Sequence, residues 1–205
     1  MATIYYVVTF AGHNDKRKAG IRNPVEFADL APLIAAGSGN VSRFAFMAGV
    51  GKTSSQVVAR DVLTIAQQYF ATEYPGKAFS DVRFLVYGAS AGGITALTFA
   101  GMVPDIQIGY IGLADAAFYR GDSDSFMGAP GSHAFFKNEN FFQVYQNSPS
   151  ESEIHGEVRG FTNIDLTNRL TLAQIKADPH VAAIKLAYVT VKESMIELIR
   201  SDRDK

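Results

Sequence analysis

The segment Arg83-Phe84-Leu85-Val86-Tyr87-Gly88-Ala89-Ser90-Ala91-Gly92-Gly93-Ile94 constrains this chain more than any other. An apolar run of strand type ends in Gly-x-Ser-x-Gly-Gly and gives way to a small-residue helix. Such a strand-to-helix turn crowds its central residue, and glycines two positions to either side relieve the crowding. The serine hydroxyl is then presented at the carboxyl edge of a sheet. The helix starting just behind it offers backbone N–H groups to a developing negative charge. The pattern predicts a nucleophilic serine, Ser90.

Strand-like and helical patterns alternate along the rest of the chain. They predict a doubly wound α/β fold, a mostly parallel sheet of about five strands in a three-layer sandwich. Strands are expected at Thr3–Phe10, Arg43–Met47, Val82–Tyr87, Ile106–Ala114 and Glu157–Leu166. Ile106–Ala114 is almost continuously apolar, as a strand buried on both faces should be. Helices are expected at Pro24–Ala36, Ser54–Tyr74, from the elbow to about Met102, and from Pro179 to Arg200. The stripe Val58, Val62, Ile65 and Tyr69 marks the second helix, and Ile184, Tyr188, Val191, Met195 and Leu198 mark the last.

A length of 205 residues fits one domain with one core. A net charge of −1 gives no electrostatic footprint for nucleic acid or an anionic membrane. The absence of cysteine excludes disulfides and thiolate metal sites. No motif calls for a metal or another cofactor. Met1–Gly12 lacks the basic start of a signal peptide, so the expected location is cytoplasmic, with signal-less secretion left open. No apolar run approaches the roughly 20 residues of a membrane span. Transient membrane contact stays open.

One segment, about 121–153, breaks the rhythm and predicts a long lid-like or cap loop. It mixes Gly, Ser, Asp, Asn and Pro with Phe126, Phe135, Phe136, Phe141, Phe142 and Tyr145. These rings either line an acyl pocket or simply pack on the core. Phe135, Phe136, Phe141 and Phe142 are pocket candidates, together with His13 at the other end of the chain.

A serine hydroxyl needs a base to take its proton and a carboxylate to orient that base. On this architecture the three follow in the order serine, acid, histidine, at carboxyl ends of strands. Asp115 directly follows the strand after Ser90 and meets the requirement for the acid. Among four histidines, His13 precedes Ser90 and His133 lies in the long loop. His180 follows the last strand at a helix start, where a cation is disfavoured and an imidazole stays able to accept a proton. His180 is the first choice of base. His155 is the alternative, although a regular strand after it would place it at the wrong edge. The oxyanion donors are expected to be the backbone N–H groups of Ala91 and Gly12.

Gly49-Val50-Gly51-Lys52-Thr53-Ser54 imitates a nucleotide-binding loop, but the first glycine of a Walker A motif is replaced by Phe46. Phosphate binding there is the weakest of three functional readings.

Several of these pieces together resemble an α/β-hydrolase family of bacterial and fungal proteins that includes phospholipase effectors of the type VI secretion system. They are Ala11-Gly12-His13-Asn14-Asp15, Asn23-Pro24-Val25-Glu26-Phe27, Gly49-Val50-Gly51-Lys52-Thr53, Gly88-Ala89-Ser90-Ala91-Gly92 and Gly112-Leu113-Ala114-Asp115-Ala116-Ala117. The resemblance spans roughly residues 3 to 120, and extends in weaker form over His155-Gly156 to Leu166. It implies ester hydrolysis, of lipids among other esters, with Ser90 and Asp115 in the family's catalytic positions. His13 departs from the family's usual threonine, no basic residue follows the serine, and Thr171–Lys176 lacks the family's histidine. The sequence therefore predicts a serine esterase of lipase type acting on a small-molecule ester or lipid. The alternative is a catalytically degenerate relative that binds an acyl ligand or a protein partner.

Overall fold

The computed structural model describes residues 3–10, 12, 31–37, 41–43, 55–119, 139–147 and 153–203. His13, His133, Phe135, Phe136 and the Gly49–Ser54 turn lie outside the described residues. The strands are β1 (Ile4–Phe10), β2 (Val41–Arg43), β3 (Val82–Ala89), β4 (Ile108–Ala114), β5 (Phe118–Tyr119), β6 (Phe141–Tyr145), β7 (Glu153–Ile154) and β8 (Thr162–Asp165). The helices are α1 (Ala31–Ala36), α2 (Ser55–Glu73), α3 (Gly92–Ala100), α4 (Leu172–Ala177) and α5 (Pro179–Arg203).

The main sheet runs in the order β2-β1-β3-β4-β6-β8, and every pairing in it is parallel. It is the expected α/β sheet with six strands in place of about five: β6 is the addition, and β2 at Val41–Arg43 starts ahead of the expected Arg43–Met47. Parallel strands feel helices on both faces, and β1, β3 and β4 are accordingly buried almost throughout. Ile4, Tyr6, Val8 and Phe10 meet α2 and α3 on one face. Tyr5, Val7, Leu85 and Tyr110 meet α1 and α5 on the other. Pro75-Gly76 stops α2 as its composition suggests, Gly76 taking a φ of 85°.

Two helical stripes differ in detail from expectation. In α2 the buried line runs through Val58, Val62, Ala66 and Phe70, leaving Tyr69 at the flank. In α5 it runs through Ala183, Ala187, Val191 and Met195, while Ile184, Tyr188 and Leu198 pack only partly against the core. The cause is close approach. A Cβ built on Gly112 in β4 would stand 2.5 Å from Val191 Cγ1 and 2.9 Å from Tyr110 Cε1. Small residues on both elements let α5 sit directly on the sheet, which turns the alanines inward.

The segment expected as an irregular cap contains a strand. Phe141–Tyr145 inserts between β4 and β8, with Ile111 opposite Phe141 and Ala114 opposite Val144. Phe141 packs on Phe161 with ring centroids 5.3 Å apart, and Phe142 stacks on Tyr110 at 5.7 Å. Both rings belong to the amino end of β6, the end away from Ser90. They pack against core partners at that end, where Phe142 also lines a cavity. The last strand is also shorter than expected, because residues 157–161 form an irregular approach to β8.

Gly112→Ala should destabilise the fold by about 1–3 kcal/mol through overpacking. Val191→Ala in the same chain should recover part of that loss, a coupling that chemical denaturation of both single variants and the double variant would read. Strictly additive losses would mean that α5 does not depend on this contact.

Candidate active site

The carboxyl ends of β1, β3, β4 and β6 carry Gly12, Ser90, Asp115 and Gln146. The register aligns Phe10 with Gly88, Ala89 with Ala114, and Ala114 with Val144. Two neighbouring turns thus leave one edge of the sheet. Ser90 (φ 53°) and Asp115 (φ 46°) are the non-glycine residues with left-handed backbone among the described residues. Each such residue costs on the order of 1–3 kcal/mol and persists where its surroundings over-determine it.

The surroundings here are hydrogen bonds from one turn to the other. The Ser90 N–H donates to the Ala114 carbonyl at 3.0 Å, and the Ala117 N–H donates to the Ser90 carbonyl at 3.0 Å. The Gly93 N–H also reaches the Ser90 carbonyl, at 2.9 Å. Glycine is obligatory around the elbow. A Cβ on Gly88 would lie 2.6 Å from the Gly92 carbonyl oxygen and 2.7 Å from Ala96 Cβ, and one on Gly93 would lie 2.4 Å from Ala116 Cβ. Ala91 caps α3 with helical backbone angles. Gly12 abuts the serine itself, since an added Cβ would fall 2.8 Å from Ser90 Cβ and 3.3 Å from Ser90 Oγ.

Asp115 is fully buried and is held from several directions. Its own N–H donates to the Val144 carbonyl at 2.6 Å. Oδ1 accepts from the Gln146 backbone N–H at 2.9 Å, and Oδ2 accepts from Gln146 Nε2 at 3.2 Å. His180 Nδ1 stands 2.5 Å from Oδ2. His155 Nδ1 stands 3.3 Å from Oδ1. With an ionised carboxylate as acceptor, His180 carries its proton on Nδ1 and leaves the lone pair of Nε2 available as a base.

Burial by itself would favour the neutral acid at Asp115. The adjacent His155 imidazole, the His180 hydrogen bond and the Gln146 amide outweigh it and hold the carboxyl below its ordinary range.

Local sequence explains how each partner arrives. Asp178 caps α5, its Oδ1 accepting from the Val181 N–H at 3.0 Å, and Pro179 occupies the first helical position that suits it. His180 follows in the first turn, its side chain a quarter exposed at 27%. Thr171–Lys176 contributes no histidine; it forms a capping box between Thr171 and Gln174 ahead of α4.

His155 reaches the Ser90 edge by another route than a regular strand. The antiparallel pair β5–β7 matches Phe118 with Ile154 and Tyr119 with Glu153. That clip draws the residue after β7 to the turn before β5, where Asp115 lies. Gln143 Nε2 fixes the next carbonyl, that of Gly156, at 3.0 Å. The two imidazole centroids end 5.0 Å apart. The strand that carries Gln146 is hidden in the aromatic segment; the apolar run Phe141–Tyr145 ending in Gln-Asn is its signal.

A cavity of about 440 Å³ opens at the opposite edge, lined by Tyr5, Arg83, Tyr110, Phe142 and Asp202 among others. It contains neither Ser90, Asp115 nor either histidine, so it is separate from this chemistry. No helix among the described residues is long and apolar enough to cross a membrane.

No family model matches the chain, and no curated protein matches it in sequence. Among solved structures it is similar to a cutinase-like protein from Cryptococcus sp., with a TM-score of 0.50 over 94% of this chain and 95% of that one. Sequence identity is 11%, so the likeness is one of fold: the chain has an α/β fold like that of cutinase.

The Asp115 carboxyl titrates near about 3.9 when unfolded and lower when folded. Its stabilisation is complete above the unfolded value and is lost as pH falls from there through the folded one. Denaturation across about pH 6 to 2 should therefore give a steeper loss of stability for wild type than for Asp115→Asn. Parallel pH profiles for the two proteins would refute the assignment.

Proposed function

We propose that this chain is a serine hydrolase that cleaves carboxylic esters, lipid acyl esters among them, through an acyl-enzyme. The observation that carries the reading is the 2.5 Å contact between His180 Nδ1 and buried Asp115, made across 65 residues of sequence, on the edge where the Ser90 elbow emerges. Similarity of fold to a cutinase-like protein agrees with an ester substrate.

In this mechanism Ser90 Oγ attacks the ester carbonyl while His180 Nε2 takes the hydroxyl proton. Asp115 orients the ring and stabilises the imidazolium that forms. The Ala91 and Gly12 N–H groups bind the tetrahedral oxyanion, Gly12 being suited by its approach to Ser90. Collapse breaks the ester C–O bond, and His180 returns the proton to the departing alcohol. Water, deprotonated by His180, then attacks the acyl-serine and releases the acid with Ser90 restored.

Labelling with a fluorophosphonate probe tests this without knowledge of the natural ester. Wild type should label stoichiometrically and Ser90→Ala not at all. On a short-chain nitrophenyl ester, His180→Ala should lower kcat by about 10⁵–10⁶-fold and Asp115→Asn by about 10⁴-fold. His155→Ala should cost far less than His180→Ala. A folded wild-type protein that stays unlabelled would instead favour an acyl-binding relative without turnover.

A further inference from the structure

A proton relay from serine needs one histidine on one carboxylate, yet two histidines converge on Asp115. We propose that Asp115, His155 and His180 form a binding site for a divalent transition cation of the zinc type, and that the cation switches the hydrolase off. The inhibitory half rests on the roles given above to Ser90 and His180; the binding half does not.

The donor set selects the ion. Two imidazole nitrogens and a carboxylate suit zinc and its neighbours, whereas magnesium and calcium take oxygen ligands. One ligand atom from each residue lies within 4.8 Å of the other two. Tetrahedral zinc ligands about 2.1 Å from the metal stand about 3.4 Å from one another. The His155 Nδ1 to Asp115 Oδ1 distance of 3.3 Å already has that value. The remaining pairs need movements of about 1–1.4 Å at most to reach that separation. His155 and Asp115 are buried, and His180, with its side chain 27% exposed, stands at the open side. Three protein ligands also leave a fourth position for water or an anion.

Support around the site is of the kind that orients metal ligands. The Gln146 backbone N–H and side-chain amide fix Asp115, and the Gln143 amide fixes the backbone beside His155 through the Gly156 carbonyl.

The inhibitory consequence follows from tautomers. As a base toward Ser90, His180 holds its proton on Nδ1 and its lone pair on Nε2. Coordination through Nδ1 reverses this, moving the proton to Nε2, the atom that must accept from the serine. The metal also occupies the carboxylate that would stabilise the imidazolium. Zinc-loaded protein therefore has a serine without a base.

Zinc binding is to be measured by equilibrium dialysis of the full chain after chelation, beside fluorophosphonate labelling of the same samples with zinc or with EDTA. One zinc should bind per chain and slow labelling, and EDTA should restore the rate. Asp115→Asn, His155→Ala and His180→Ala should each weaken binding at least about tenfold, whereas a His13→Ala/His133→Ala double variant should not. His155→Asn and a thermal melt of each variant guard against loss of fold, and zinc should raise the melting temperature of wild type and of the His13→Ala/His133→Ala variant more than that of the three ligand variants. No retained zinc, or unchanged affinity in folded His155→Ala and His155→Asn, would overturn the proposal. Stoichiometric zinc on a protein that never labels would uphold the site and remove the hydrolase reading instead.

Discussion

Two adjacent chain reversals, each strained alone, hold one another in place at the centre of this molecule. Ser90 and Asp115 both adopt left-handed backbone, and the reciprocal hydrogen bonds between the Ser90 and Ala114–Ala117 turns fix them together. Neither residue gains those angles from glycine-like freedom. They are imposed by the parallel register of β3 on β4, which brings Ala89 opposite Ala114. The small residues Gly88, Gly92, Gly93, Ala96 and Ala116 follow from the same constraint, because the helix after the elbow must pass within contact of both turns.

From that base the electrostatics of the site assemble outward. A buried carboxylate is costly without donors, and the Gln146 backbone N–H, the Gln146 side-chain amide and His180 supply them, with His155 Nδ1 standing 3.3 Å away. These come from the end of β6, the start of α5 and the segment after β7. The sheet edge thus acts as a collecting line on which distant parts of the chain satisfy one anion. That anion lies beside the Ser90 elbow.

Much of this arrangement is legible in the residues because the signals are local. The apolar run before Gly-x-Ser-x-Gly-Gly specifies a buried strand and its turn, and Ile108–Ala114 ending in Asp115 repeats the pattern one unit later. Asp178-Pro179 announces the helix that carries His180. What was not legible depends on tertiary pairing. Phe141–Tyr145 reads equally as a sticky loop and as a central strand, since five residues with one glutamine show no decisive period. Gln146 could not be placed without that strand. The place of His155 at the Ser90 edge is not legible, because the β5–β7 clip that brings it there is two residues long on each side, far too short to leave a pattern. The inward turn of α5 rests on Gly112, a residue on another element.

The sheet order has a temporal consequence. β1 pairs with β3 across more than seventy residues, and β6 enters between β4 and β8 only after the chain has already left β4. Pairings of such separation carry a large loop-closure entropy and form slowly. Asp115 receives its Val144 and Gln146 bonds only once β6 has docked, and His180 joins only when α5 lies on the sheet. A partly assembled chain, with its elbow formed and its outer strands still loose, presents a serine without a poised base. On the proposed hydrolase reading, reactivity at Ser90 would be a late milestone of folding, acquired when the last crossover closes.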